Sequence, residues 1–94
     1  MVEIEVVAFG EDVGAAIASA AAELGLSVAS DGTLKVYPGS RHWHLRKPGT
    51  SGTLEVTHWP AKSRLWVAYH SNRIGDGWVA AAAQQLAAIL GSAQ

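Results

Sequence analysis

Residues 41–70 of the chain have the sequence RHWHLRKPGTSGTLEVTHWPAKSRLWVAYH. Apolar and polar side chains alternate in three runs within it, and two segments that each contain a proline and a serine separate the runs. Alternation with a period of two is typical of β-strands that bury one face, and Pro-Gly segments are typical of turns. The stretch therefore predicts three consecutive antiparallel strands.

The predicted register of these strands follows from the two loops, which we place at residues 48–51 and 60–63. The expected cross-strand pairs are Trp43 with Val56, Leu45 with Leu54, Val56 with Val67, and Leu54 with Tyr69. All of these apolar side chains then lie on one face, together with Leu65 and His58. A slip of one residue would mix apolar and polar side chains on both faces, which supports this register.

The three predicted strands form a meander, and its opposite face contains most of the side chains of the protein that could take part in binding or catalysis. Its members are His42, His44, Arg46, Thr53, Glu55, Thr57, Trp66, Ala68 and His70. Antiparallel sheets often leave one face in water, and charge pairing of Glu55 with His44 and Arg46 would suit a solvated face. The aromatic ring of Trp66 is less expected there. We predict that it is exposed and available for stacking on a flat ligand or for burial in a homodimer.

The rest of the chain predicts one strand and a helix before the meander, and a helix after it. We expect a strand at 2–9 and then a helix at 11–24 that ends at Gly25. A turn at Asp31-Gly32, a strand at 33–37 and a turn at Pro38-Gly39 should follow. After the meander we expect a helix at 78–90 that begins after Asp76 and ends at Gly91. The element order is β-α-β-β-β-β-α. It predicts an α+β two-layer sandwich, with a mainly antiparallel sheet of four to five strands and two helices packed on one face, in a single domain over residues 1–94.

Composition points to a small intracellular protein. Of the 94 residues, 49% are apolar and none is cysteine, which is typical of proteins in a reducing compartment. No apolar run approaches the ~20 residues that span a bilayer. We therefore predict a cytoplasmic location and no membrane partner.

Charge is distributed unevenly along the chain. Residues 1–31 contain six acidic residues and no lysine or arginine, whereas residues 32–73 contain seven basic residues and one acidic residue. Two interpretations stay open: the two parts neutralise each other in the fold, or the basic part binds RNA or another polyanion.

Function is predicted only as a class. We expect a small binding or interaction domain that uses the polar sheet face, self-associates, and lacks catalysis and cofactors of its own. The expected binding residues are His42, His44, Arg46, Glu55, Trp66 and His70. A module that binds a partner through the sheet edge or the alanine-rich helices is a further option.

A metal site is an alternative use of the same face. The spacing His42-x-His44 places two imidazoles on one side of a strand, and Glu55 lies across from His44 in the predicted register. Two histidines and a carboxylate form a known open metal triad. The sequence favours a face without metal, because an exposed sheet offers few groups to orient the ligands.

The run Gly39-Ser40-Arg41-His42-Trp43-His44 and the following Leu54-Glu55-Val56-Thr57 resemble HicA-type toxin ribonucleases. In that family a Gly-Ser-His stretch carries the catalytic histidine on a fold similar to double-stranded-RNA-binding domains. Arg41 stands here where the family has that histidine, and the first strand and the strand at 65–70 are additional. The resemblance implies an RNA-binding ribonuclease with His42 as catalytic base and with Arg46 and Lys47 on phosphate.

Overall fold

The computed structural model of the chain describes residues 1–33, 35–70 and 77–92. These residues form a five-stranded antiparallel sheet and two α-helices in the order β-α-β-β-β-β-α. The strands are β1 (Val2–Glu5), β2 (Ser27–Gly32), β3 (Arg41–Arg46), β4 (Leu54–Trp59) and β5 (Arg64–Tyr69), and the helices are α1 (Val13–Glu23) and α2 (Trp78–Ser92). The predicted fold class and element order are confirmed.

The sheet has the strand order β1-β5-β4-β3-β2, and all neighbouring strands are antiparallel. The first strand therefore pairs with the last, and α1 connects the two edge strands β1 and β2 across the sheet. Helix α2 lies against β5 and β1, and α1 lies against β2 and α2. We call the face of the sheet under the helices the inner face and the opposite one the outer face.

The meander β3–β4–β5 has the register that the sequence predicts. The observed pairs include Trp43 with Val56, Leu45 with Leu54, Val56 with Val67, and Leu54 with Tyr69. All six of these side chains are buried in the core between the sheet and the helices. The hydrophobic alternation of the sequence therefore fixes which side chains occupy the inner and outer faces.

The predicted turn at Pro38-Gly39 is also confirmed. The amide of Ser40 donates to the carbonyl oxygen of Tyr37 at 3.0 Å, and Gly39 has a φ of 80°. A type II turn requires a positive φ at its third residue, which glycine adopts without steric cost.

The strand predicted at 33–37 is wrong, and so is the turn predicted at Asp31-Gly32. The observed strand β2 covers Ser27–Gly32, with Asp31 opposite Trp43 and Gly32 opposite His42. Every residue of β2, a strand at the edge of the sheet, is exposed, so burial imposes no apolar alternation on it. Residues 35–39 form turns instead, and Leu34 lies outside the described residues.

Helix α1 covers Val13–Glu23, within the range 11–24 predicted for it. The Asp12 carboxylate caps it by accepting a hydrogen bond from the Ala15 amide at 3.1 Å. Gly25, with a φ of 70°, follows its C-terminus. The buried stripe of α1 contains Val13, Ile17, Ala20 and Ala21.

Two other predicted boundaries differ from the observed ones. Strand β1 ends at Glu5 rather than at residue 9, although the Val6 amide still donates to the Leu65 carbonyl oxygen at 2.9 Å. Helix α2 continues past Gly91 to Ser92. The predicted helix cap, Asp76, lies outside the described residues.

Neither helix in the described part of the chain combines the length and apolar character needed to cross a bilayer.

Candidate metal centre

Antiparallel pairing brings three candidate residues together on the outer face. His42 and His44 project from β3 with one residue between them, and Glu55 of β4 lies directly opposite His44. Residues two apart on a strand point to the same face, so both imidazoles approach the Glu55 carboxylate. We refer to His42, His44 and Glu55 as the triad.

The ligand atoms of the triad are closely spaced. Oε1 of Glu55 lies 3.3 Å from Nε2 of His42 and 3.4 Å from Nε2 of His44, and the two Nε2 atoms are 3.0 Å apart. Nitrogen and oxygen ligands bind Zn²⁺ at about 2.0–2.2 Å, which places neighbouring ligand atoms roughly 2.9–3.5 Å from each other. The three separations therefore match those of ligands around one shared ion.

Thr57 orients the His42 ring from the other side. Its Oγ1 lies 2.7 Å from Nδ1 of His42, and the threonine is only 2% exposed. In the tautomer that donates the Nδ1 proton to Thr57, Nε2 presents its lone pair to the centre of the triad. A hydrogen bond to the second ring nitrogen is the usual way in which proteins orient a metal-binding histidine. The structure thus supplies an orienting group that sequence analysis did not assign, although the predicted register already placed Thr57 opposite His42.

The environment favours a neutral His42 ring. Burial lowers the pKa of His42 below its ordinary value, and the proximity of His44 lowers it further, while the charge of Glu55 and its hydrogen bond act in the opposite direction. Metal ions bind the neutral form of imidazole, so a depressed pKa keeps this ligand available near neutral pH.

Solvent reaches the triad from the outer surface of the sheet. The side chains of His42, Glu55 and His44 are 15%, 24% and 41% exposed, respectively. An ion held by these three groups would keep coordination positions open toward the outer surface. Open positions on a metal ion can bind and polarise an oxygen-containing ligand or water.

Trp66 lies on the outer face, but the prediction that its ring is exposed is wrong. Only 4% of the residue is accessible, because Tyr37 packs edge-on at 5.3 Å between ring centroids and the Arg64 guanidinium lies 4.4 Å from the ring centroid. The Tyr37 and Trp59 rings are also in contact, with 4.8 Å between their centroids. Nε1 of Trp59 donates a hydrogen bond to the carbonyl oxygen of Pro38 at 3.0 Å. The turn at 35–39 therefore folds over this end of the outer face. The strand that the sequence predicted at 33–37 did not include this cover over Trp66.

Arg46 and His70 lie beside the triad rather than in it. They line a surface depression of about 470 Å³ together with His44, Ser51, Gly52, Thr53 and Glu55. All six residues predicted to bind are thus on the outer face, but they form two environments. His44, Glu55, Arg46 and His70 border this depression. Trp66 packs under Tyr37 and lines a second depression together with His42 and Glu55.

Two ion pairs connect the acidic and basic parts of the chain. Glu5 pairs with Arg64 across β1 and β5, and Asp31 lies 3.6 Å from Arg41 across β2 and β3. These pairs favour the interpretation in which the two parts of the sequence partly neutralise each other.

Comparisons of the chain with models of protein families, with curated proteins and with solved structures found no match in any of the three.

Proposed function

We propose that the protein is a metal-binding domain that holds one divalent transition-metal ion, with Zn²⁺ as the preferred candidate, between His42, His44 and Glu55. The observation that carries this proposal is the convergence of Nε2, Nε2 and Oε1 within 3.0–3.4 Å of one another. The sequence predicts a binding domain without naming what it binds, and under this proposal it binds a metal ion. The proposal also explains why two imidazoles and a carboxylate are brought together on a face that could otherwise be solvated.

The choice of metal follows from the ligand types. Imidazole suits Zn²⁺, Cu²⁺, Ni²⁺ and Fe²⁺, whereas Mg²⁺ and Ca²⁺ prefer sites made of oxygen ligands alone. Two histidines and one glutamate form the ligand set of several open zinc sites. Three protein ligands also leave the ion able to bind a further molecule.

The test is equilibrium dialysis of the protein against Zn²⁺ and, as a spectroscopic substitute, Co²⁺. We expect one ion per chain and a visible Co²⁺ absorption band typical of a nitrogen- and oxygen-ligated site. His44→Ala and Glu55→Gln should each lose at least about tenfold in affinity, because each removes one of three ligands.

Two matched variants serve as controls. His58→Gln removes a histidine of the inner face, and Glu3→Gln removes a carboxylate that lies across β5 from Glu55 on the outer face. Both should bind the ion as the unmodified protein does. Equal losses in control and triad variants, or no binding at all, would refute the proposal.

The ribonuclease suggested by the resemblance to HicA toxins stays a prediction with less support. It requires Arg46 and Lys47 to contact the same phosphate backbone. Arg46 borders the depression on the outer face, whereas Lys47 lines a groove on the helix side with Leu24 and Trp78. Incubation of the protein with single-stranded RNA in the presence of a chelator would test it, because the metal proposal predicts no cleavage under those conditions.

A further inference from the structure

The depression next to the triad is open to solvent and shares two residues with it. His44 and Glu55 form one wall, and Arg46, Thr53 and His70 form the others, around a volume of about 470 Å³. This volume is within the range of small-molecule sites. A molecule bound there would lie against two of the three triad side chains.

Arg46 differs from the other arginines that the structure describes. Arg41 lies 3.6 Å from Asp31, and Arg64 pairs with Glu5, so both have acidic partners. Among residues 1–33, 35–70 and 77–92, no carboxylate is within ion-pair distance of the Arg46 guanidinium. An exposed guanidinium at the rim of a depression is well suited to bind a carboxylate or phosphate group through two parallel hydrogen bonds.

The loop that forms one wall is held in place by the rest of the fold. The Trp78 indole of α2 donates to the carbonyl oxygen of Ser51 at 2.7 Å. Within the loop, the Thr50 hydroxyl donates to the carbonyl oxygen of Lys47 at 2.8 Å. These hydrogen bonds tie the loop between β3 and β4 to helix α2 and close a turn within it.

From this arrangement we infer that the protein binds a small oxyanion, a phosphate or carboxylate group, in the depression as a third component of a protein–metal–anion complex. One anion oxygen would occupy an open coordination position of the ion, and the others would accept hydrogen bonds from Arg46, with His70 and the Thr53 hydroxyl as additional polar contacts. The inference rests on the proposed metal site, because the triad carboxylate by itself would repel an anion.

The test uses the Co²⁺-loaded full chain titrated with inorganic phosphate and, separately, with acetate. Direct coordination should shift the visible Co²⁺ spectrum in a saturable manner, with one anion per ion. The arm with the higher affinity identifies which of the two oxyanions the site prefers. Arg46→Gln should weaken anion binding by about tenfold while leaving Co²⁺ affinity within about threefold.

Lys47→Gln is the matched control. It removes the same unit charge from the next residue, but Lys47 borders the groove on the helix side. It should leave the affinities for both Co²⁺ and the anion unchanged.

The two proposals fail in distinguishable ways. Co²⁺ binding without a saturable spectral response to either anion, or equal weakening by Arg46→Gln and Lys47→Gln, would overturn the inference and leave the metal site standing. Absence of Co²⁺ binding would overturn both.

Discussion

The Nε2 atoms of His42 and His44 lie 3.0 Å apart on the outer face of the sheet, although a single residue separates the two histidines on β3. Two protonated imidazoles could not occupy these positions without strong repulsion, and His44 indeed contributes to lowering the pKa of His42. A cation placed between the rings and Glu55 would turn this repulsion into shared coordination.

Replacing Thr57 by valine should weaken metal binding without removing a ligand. The change keeps the shape of a buried side chain but deletes the hydroxyl that lies 2.7 Å from Nδ1 of His42. Loss of such an orienting partner costs metal sites about 10–100-fold in affinity. Competition with a chromophoric chelator would measure the loss.

Thr57→Ser is the control for that experiment, because it retains a hydroxyl at the same position. It should recover most of the affinity. If the serine and valine variants bind the ion equally, the hydroxyl does not orient His42 and the argument for an orienting hydrogen bond fails.

Zn²⁺ should raise the thermal stability of the protein. Binding to the folded state alone at a free concentration about 100 times Kd adds about 2.7 kcal/mol to the free energy of unfolding. For a domain of this size that corresponds to an increase in Tm of about 10–20 °C. Differential scanning fluorimetry with Zn²⁺ and with chelator would show the full increase in Glu3→Gln and a clearly smaller increase in Glu55→Gln, and an increase of the same size in both variants would place the ion elsewhere.

Stability in the absence of metal should fall as the pH decreases from about 7 to 5. Burial, and to a smaller extent the charge of Arg41, lower the pKa of His58 below 6.5 in the folded protein. Below about pH 6.5 the unfolded chain then binds more protons than the folded one. The free energy of unfolding therefore increases as the pH rises through this range and decreases as the pH falls through it. His42 acts in the same direction.

His58→Gln should flatten this pH dependence, because it removes one of the two histidines with a depressed pKa. Urea unfolding between about pH 5 and pH 8, with chelator present, would measure the effect. An unchanged slope in the variant would show that His58 does not contribute.

Tyr37→Ala should destabilise the protein by about 1–2 kcal/mol, because it removes ring contacts with both Trp59 and Trp66. Val36→Ala, at a neighbouring residue that is 75% exposed, should change the free energy of unfolding by less than about 0.5 kcal/mol. Urea unfolding of both variants would measure these changes. Equal losses in the free energy of unfolding would contradict the idea that the turn covers the sheet.

The meander was predictable because its signal is local and repeated. Two hairpins with independent loops give the same inner face, and the buried Leu54 and Val56 take part in both. The edge strand β2 was not predictable in the same way, since all its side chains are exposed and its position depends on pairing with β3.

The candidate site could be located from the sequence, but its details could not. The register places His42 and His44 near Glu55, whereas the ring orientations that bring their nitrogens together depend on Thr57 and on local packing. Burial of Trp66 depends on a turn that returns over the sheet, and no periodicity in the sequence encodes such a contact.

The pairing of β1 with β5 also has a consequence for the order in which the protein folds. Val2 must find Tyr69, which lies beyond all the other strands in the sequence, whereas the triad and Thr57 all belong to the single hairpin β3–β4. Closing a long loop costs more chain entropy than closing a short one, and contacts between remote residues slow folding. The hairpin that carries the triad can therefore assemble as a local unit, without waiting for the most remote contact of the sheet.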